Sequence, residues 1–212
     1  MKKVIVLAVV AMLGLQSQAQ IVSSRSAMTT RQVINEPKAY RGWSTLGVEY
    51  LPSSWKVDGH STSFTGLALN YTQAISLTQS APLFLEWGIG GQYSFKSEGD
   101  ETLHYASVKI PINFIYDIEI PGANINIDPY VGLKLRGNVW GEDKYDDGYY
   151  DESWDLFGDE GGAKRFQVGW NIGVKARFNN KFFFGVAYGS DFNEFVDETK
   201  ISEISLSLGL VF

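Results

Sequence analysis

The last seven residues, Leu206-Ser207-Leu208-Gly209-Leu210-Val211-Phe212, decide the fold class. Large apolar side chains alternate with mostly small ones, and the segment ends on an aromatic residue. A period of two is typical of a β-strand, whose successive side chains point to opposite faces. The ends of soluble domains usually fray into water, whereas the strands of a membrane barrel expose apolar residues to lipid and aromatic residues at the interface. The segment therefore predicts the closing strand of a transmembrane β-barrel.

The first residues have the pattern of a secretory signal peptide. Lys2 and Lys3 precede an apolar run over 4–15, which is shorter than the ~20 residues needed to span a bilayer as a helix. Ser17-Gln18-Ala19 supplies small residues at the cleavage spacing. We expect cleavage after Ala19, removing 1–19, and a polar periplasmic segment over 20–42; an uncleaved anchor helix is the alternative.

Composition narrows the class of protein. The 212-residue chain has no cysteine, so an exported protein of this sequence is stabilised without disulfides. Its formal net charge is −6, and loss of the two signal-peptide lysines makes the mature chain more acidic. That balance argues against a nucleic acid partner. Twenty-two glycines and 14% aromatic residues suit a β-protein with tight turns and close strand packing.

Period-two segments separated by turn residues fill the rest of the chain. The pattern predicts an all-β fold, an eight-stranded antiparallel up-and-down transmembrane β-barrel over 43–212, with an even strand count and both termini in the periplasm. The expected strands lie at about 43–51, 63–73, 83–96, 103–117, 127–139, 166–178, 182–190 and 200–212.

Side-chain size predicts which face points outward. One face carries Trp, Phe, Tyr, Ile and Leu, while the other carries mostly Gly, Ser, Asn and a few charges. The interior of an eight-stranded barrel is only wide enough to be filled by side chains, so the bulky apolar face should point out into lipid. A soluble periplasmic barrel, with the apolar face inside, is the alternative.

The charged residues of the strands fall on the predicted inner face. A Lys or Arg facing lipid at mid-depth costs ~2–4 kcal/mol, whereas inside the barrel it can be paired. We expect a structural network of ion pairs; five cations against two carboxylates also leave open a lumen that selects anions. The predicted lumen charge network comprises Glu49, Glu86, Lys109, Lys134, Arg136, Lys175 and Arg177.

Two strands resemble a known family. Val-Lys-Ile-Pro-Ile-Asn-Phe-Ile-Tyr at 108–116 and Pro-Tyr-Val-Gly-Leu-Lys at 129–134 are similar to the porin family / outer membrane protein β-barrel domain group of Gram-negative bacteria. The resemblance implies an outer-membrane location, amid outer-membrane lipid and lipopolysaccharide. The C-terminal pattern likewise resembles the insertion signal read by the barrel insertion machinery, implying that role for Leu208, Leu210 and Phe212.

The segment 140–165 is predicted to be a long acidic outer loop. Calcium binding requires oxygen ligands at fixed spacing, and Tyr145 and Trp154 occupy the third and twelfth positions of the best EF-hand alignment, so that match fails. We expect a solvated loop whose interleaved aromatic side chains could bind an unknown surface ligand. Its candidate residues are Glu142, Asp143, Asp146, Asp147, Asp151, Trp154 and Asp155.

The sequence favours a structural or surface-binding role without cofactor, metal or catalysis. A narrow porin-like channel is the alternative, and a lipid A-modifying enzyme is a third hypothesis. Catalysis needs a nucleophile within reach of a base. His104 lies on the predicted outer face and Ser107 on the inner face, so they should not meet; Asp58, His60 and Ser61 lie together in the first outer loop.

Overall fold

The computed structural model describes residues 40–57, 60–98, 101–146, 149, 151–158, 162–196 and 199–212. The predicted signal peptide, and the predicted periplasmic segment up to residue 39, lie outside these ranges. Within them, no helix is long and apolar enough to cross a membrane. The strands are β1 (Trp43–Val57), β2 (His60–Ser76), β3 (Leu83–Glu98), β4 (Glu101–Tyr116), β5 (Ile118–Ile120), β6 (Ile125–Asp146), β7 (Asp151–Asp155), β8 (Phe166–Phe178), β9 (Phe182–Asp191) and β10 (Lys200–Val211).

Eight long strands form a closed antiparallel barrel, as the sequence predicted. The hydrogen-bonded order is β1-β2-β3-β4-β6-β8-β9-β10, and pairing between β10 and β1 closes the ring. The two short strands β5 and β7 pair only with β6. The chain ends meet where Ser44 and Phe212 exchange backbone hydrogen bonds of 2.7 and 3.0 Å. We call this the periplasmic end and the opposite one the outer end, following the rule for barrel termini.

The outward face is predominantly apolar along the long strands, which excludes the soluble-barrel alternative. Ile89, Phe114, Ile172 and Leu208 are each more than half exposed, while Glu86, Asn113 and Ser207 on the alternate positions are buried. Only lipid covers so large an apolar surface without aggregation. The predicted facing of the strands is therefore confirmed.

The segment 140–165 differs from the predicted loop. β6 extends through Asp146 rather than ending near 139, and β7 pairs back onto it from Glu142↔Asp155 to Asp146↔Asp151. An extra residue, Val139, separates Asn138 and Trp140, which pair with consecutive residues of β4. This bulge reverses the facing above it. Backbone pairing with β4 and β7 holds these acidic residues in strands. Apolar periodicity alone does not predict strands at such positions.

The periplasmic turn between β8 and β9 is short, with three residues between the strand bounds. At 179–181, Asn179 and Asn180 adopt φ of 51° and 50°, the left-handed region that asparagine tolerates better than most residues. The link between β4 and β6 contains the hairpin of β5, turning through Gly122 at φ 79°. At the outer end β1 and β2, and β3 and β4, are joined with only two residues between their bounds.

Candidate functional site: the charged interior and its two caps

The middle of the barrel interior contains ion pairs that cross the lumen. Lys175 on β8 donates from Nζ to both carboxylate oxygens of Glu86 on β3, at 2.7 and 2.6 Å. Glu86 also accepts hydrogen bonds from Thr72 at 3.0 Å and Asn113 at 2.8 Å. Lys109 pairs with Glu49 on β1. Thr72 and Asn113 lie on the strands next to β3, whereas each of the two ion pairs joins strands that are not neighbours and so crosses the lumen.

A second group of charges lies nearer the outer end. Arg136 is fully buried and pairs with Asp191 and, at 3.4 Å, with Glu203. Glu203 also accepts a hydrogen bond from Lys134. A buried charge left unpaired costs several kcal/mol, so these contacts are required for the barrel to fill its interior with charge.

Arg177 holds the periplasmic end of the interior. Its Nε and Nη2 donate to Asp128 at 2.5 and 3.1 Å, and Nη2 lies 3.0 Å from Asp117. The guanidinium carbon lies 3.6 Å from the ring centroid of Trp43, a close cation–π contact. One side chain therefore joins the carboxylates to the aromatic residues at this mouth.

The structure places all seven predicted lumen charges inside the barrel and adds acidic partners that the sequence analysis missed. Asp128, Asp191 and Glu203 are all at most 6% exposed. Asp128 shares the parity of Lys134, and Glu203 that of Ser207, so strict alternation could have found both. In the described interior the five cations are balanced by Glu49, Glu86 and these three acids, and Asp117 adds a sixth carboxylate at the periplasmic mouth. The excess of cations that motivated anion selectivity is therefore absent.

An apolar group closes the periplasmic end of the interior. Ala74, Phe84 and Ile115 are buried against one another, with Tyr40, Trp43 and Tyr130 packed around them. The Trp43 and Phe84 ring centroids lie 4.5 Å apart. We call these six residues the periplasmic cap.

A larger apolar group closes the outer end, and segments beyond the barrel wall contribute to it. Leu156 and Phe157, which follow β7, pack with Phe195 from the link between β9 and β10. Ring centroids of Phe195 lie 5.5 Å from Tyr105 and 5.1 Å from Trp55. We call this the outer cap; its buried members are Phe64, Leu103, Tyr105, Leu156, Phe157, Phe195 and Ile201.

Little open space remains between the caps. The cavity beside Glu86, Lys109 and Lys175 has a volume of about 60 Å³. That is space for roughly two water molecules. Asn70 also lines this cavity, and both of its side-chain polar atoms lack a protein hydrogen-bond partner. The interior is a filled polar layer between two apolar ones.

The acidic candidates of β6 and β7 are divided between two faces. Glu142 lies beside His104 and Asp155 in the register, whereas Asp143 lies beside Leu103 and Trp154 on the other face. Lys144 Nζ is 3.7 Å from Glu142, and Asp155 accepts the backbone N–H of Phe157 at 2.9 Å. No cluster of three or more His, Asp and Glu side chains suited to a metal ion occurs in the described part of the chain.

The remaining acidic candidates do not converge on one point. Burial, reinforced by Glu101, raises the pKa of Asp143. Asp146 and Asp151 are opposite each other in the backbone register, and Asp147 lies outside the described residues. The segment thus presents carboxylates in two directions rather than around one point.

The histidine hypothesis has little support from geometry. The Tyr93 hydroxyl is hydrogen-bonded to Nδ1 of His104 at 2.8 Å on the outer surface. Ser107 is 2% exposed on the inner side of the wall, so the two do not meet. Asp58, and the side chains of His60 and Ser61, lie outside the described part.

The C-terminal candidates lie on the lipid face near the periplasmic end. Leu208, Leu210 and Phe212 are 59%, 49% and 65% exposed. The ring of Phe212 lies 6.4 Å from that of Tyr71 on β2. An aromatic residue at this level is typical of the interfacial girdle of membrane barrels.

A closed barrel that is apolar outside and polar within defines the class of integral outer-membrane β-barrel proteins. Residues 85–194 match the outer membrane protein beta-barrel domain family, and the chain belongs to that family. The family resemblance read from the sequence is thereby confirmed. No curated protein matches the chain.

Solved structures of outer-membrane proteins are similar to this chain at low sequence identity. Neisserial surface protein A is 12% identical, with a TM-score of 0.50 over 79% of this chain and 96% of that chain. The attachment invasion locus protein Ail of Yersinia pestis is 15% identical, with a TM-score of 0.48 over 82% of this chain and 100% of that one. The outer membrane enzyme PagL is 18% identical, with a TM-score of 0.47 over 77% of this chain and 97% of that one.

Proposed function

We propose that this protein is a non-conducting, non-enzymatic barrel with a structural or surface-binding role in the outer membrane. The observation that supports it is the filling of the lumen: paired charges lie between the periplasmic cap and the outer cap. A conducting pore needs a continuous aqueous path, and an interior of this strand number is usually filled by side chains.

Single-channel recording in planar bilayers tests the closed lumen. We expect the folded barrel to give no stepwise current, and a Phe84→Ala/Phe195→Ala variant, which removes one ring from each cap, to leak more than either single variant. Heat-modifiable migration on gels verifies that every variant is folded. Current steps from the unmodified barrel that scale with salt concentration would establish the alternative, a narrow channel.

A surface-binding role is supported by the part of the barrel that extends beyond the expected membrane band. β6 has 22 residues, about twice the 9–11 that cross a bilayer, and β7 pairs with its outer portion. Trp140 and Trp154 are exposed on the two opposite faces of this hairpin, on the sides of Glu142 and Asp143 respectively. Such a rigid hairpin presents a fixed surface to a ligand outside the cell.

A hairpin exchange separates the surface role from the purely structural one. A barrel with 143–154 replaced by a short Gly-Ser turn keeps Glu142 and Asp155 at the base of the hairpin. If the hairpin binds a ligand, the intact gene restores the phenotype of a deletion strain and the exchanged gene does not. Full rescue by the exchanged barrel assigns a structural role. A changed lipid A mass on deletion would instead support the enzyme.

The remaining sequence predictions are part of the same proposal. We infer that export removes 1–19, so that the mature chain begins at Gln20, and that Leu208, Leu210 and Phe212 guide recognition by the barrel insertion machinery. N-terminal sequencing of membrane-extracted protein checks the first. Slower assembly of a Phe212→Ser variant, with assembly of a Phe178→Ser variant unaffected, checks the second.

A further inference from the structure

The apolar band that faces lipid is interrupted on one side of the barrel. On β8 every outward residue from Phe166 to Phe178 is apolar, whereas on β9 the outward series Phe182, Phe184, Val186 and Tyr188 continues with Ser190 and then Phe192. Phe192 is 54% exposed, so an outward aromatic residue lies beyond the serine. Ser190 therefore lies at the outer edge of the apolar band, with one outward aromatic residue beyond it.

Ser190 begins a row of hydroxyl groups that crosses four neighbouring strands. The register pairs Ser190 with Ser202, Ser202 with Ser54, and Ser54 with Ser63. Ser202 donates to the hydroxyl of Ser190 at 3.1 Å. At the usual spacing of strands the row is about 15 Å wide. We call these four residues the hydroxyl row.

Three of the four residues of the hydroxyl row line a depression in the outer surface of the wall. The depression has a volume of about 410 Å³, and Ser54, Ser63 and Ser202 line it together with Thr65. Polar groups exposed toward hydrocarbon are costly unless they are paired, so lipid tails are poor neighbours for this surface. Ser190 donates to the backbone oxygen of Ile201 at 3.3 Å and accepts from Ser202, so the hydroxyls left for a polar group of the outer leaflet are those of Ser54, Ser63 and Thr65.

An apolar groove continues from the depression toward the membrane centre. Tyr188 and Ile204 line both, and the groove, of about 450 Å³, also includes Val174 and Val186. Tyr188 makes an edge contact with Trp170, their ring centroids 5.7 Å apart. A polar depression joined to an apolar groove fits an amphipathic molecule, with its headgroup outward and a chain along the wall.

A positive charge lies next to the hydroxyl row. Lys200 is exposed, and it is two residues from Ser202 on the same face of β10. A lysine ammonium is a common ligand for phosphate, and rows of hydroxyl groups bind sugars through exchangeable hydrogen bonds. The width of the row exceeds a single phosphate ester and matches a headgroup of more than one sugar ring.

We propose that this face binds a phosphorylated glycolipid of the outer leaflet, with the lipid A headgroup on the hydroxyl row and Lys200, and an acyl chain in the groove. The site depends only on the barrel lying in the outer membrane, not on the proposed surface-binding role. A phospholipid, or a second copy of the barrel, is the competing occupant.

Native mass spectrometry of the full mature barrel in micelles tests the site. With equimolar lipid A and phosphatidylethanolamine, we expect one retained lipid A per barrel. A Ser54→Val/Ser190→Val/Ser202→Val variant should retain at least tenfold less, and its fold should persist because valine suits a lipid-facing position. The matched control Ser97→Val/Thr102→Val/Ser153→Val removes three outward hydroxyls elsewhere and should retain lipid A normally.

The Lys200→Gln variant removes only the proposed phosphate contact, at an exposed position. It should lower retention of phosphorylated lipid A severalfold and leave retention of dephosphorylated lipid A unchanged. The proposal is overturned by equal retention in the wild type and the triple valine variant, by equal retention of phosphatidylethanolamine, or by barrel dimers that the valines dissociate.

Discussion

At the scale of single residues, four of the five interior cations reach carboxylates on strands that are not their neighbours, and Arg177 alone pairs with a carboxylate on an adjacent strand. Lys134 on β6 pairs with Glu203 on β10, with two strands between them, and Lys175 joins β8 to β3. Long flexible side chains are suited to such a span, and the small residues of the inner face leave room for them. Each such pair therefore fills part of the lumen and links separate parts of its wall.

Removing one carboxylate should reveal the cost of an unpaired buried cation. Glu86→Gln leaves Lys175 without its anion, and breaking a buried pair typically costs about 3–5 kcal/mol. The matched change Glu142→Gln breaks a partly exposed 3.7 Å contact with Lys144, and such contacts contribute about 0–1 kcal/mol. Urea unfolding in vesicles measures both. Similar losses of unfolding free energy in the two variants would contradict a structural role for the interior pairs.

Apolar and charged substitutions at a single lipid-facing position should differ in their effect on the unfolding free energy. A Cβ at Gly91 meets nothing within 4 Å, so substitutions there are free of steric conflict. Gly91→Arg should reduce unfolding free energy by about 2–4 kcal/mol relative to Gly91→Leu, because an arginine then faces hydrocarbon. Equal stability of the two variants in vesicles would contradict the assigned facing.

Strand alternation alone suggests Gly169→Ser as an inward-facing control for such tests. It is a poor control. A Cβ there would lie 2.8 Å from both the backbone oxygen of Ser190 and the carboxylate of Asp191. In a stability measurement, the strain of that substitution could not be separated from the effect of the direction in which the side chain points. Position 91 avoids the problem because only polarity changes.

At the scale of elements, the barrel closes where β1 meets β10 and two glycines face each other. Gly47 pairs with Gly209, and a Cβ on Gly209 would lie 2.2 Å from the backbone oxygen of Leu46. The aromatic ring of Phe183 covers the same point from inside. Close backbone approach at the closing pair therefore requires the absence of a side chain.

Adding one methyl group at this closing pair should destabilise the barrel. Gly209→Ala is expected to cost about 1–3 kcal/mol, since the obstructing atoms are backbone and cannot rotate away. Gly137→Ala is the matched control, because a Cβ at 137 meets nothing within 4 Å. Unfolding free energies in vesicles, and folding yields from urea, measure the difference; an unaffected Gly209→Ala barrel would contradict the close approach.

The outer hairpin shows how elements beyond the membrane complete the lumen. β7 pairs with the outer part of β6, and the residues that follow it, Leu156 and Phe157, turn inward onto Phe195. The acidic residues remain on the strands while the apolar ones fill the mouth. The segment is thus part of the cap as well as a surface.

At the scale of the whole molecule, the sequence predicted the strand number, closure and facing because each depends on a period of two along one strand. The partners and caps depend instead on register between strands. Asp191 lies at the very end of β9, and Phe195 lies in a link without periodicity, so alternation assigns neither to the interior. The hydroxyl row likewise emerges only when four strands are aligned.

The barrel combines an outward apolar surface in lipid with an interior that is kept away from it. Fluorescence of single-tryptophan variants in brominated lipid vesicles tests this arrangement most directly, with phenylalanine replacing the other five tryptophans. Trp87 lies on the lipid face of β3, whereas Trp55 packs in the outer cap against Phe64 and Phe195. We expect strong quenching of Trp87 and little quenching of Trp55. Quenching of Trp55 with Trp87 unaffected would contradict the arrangement.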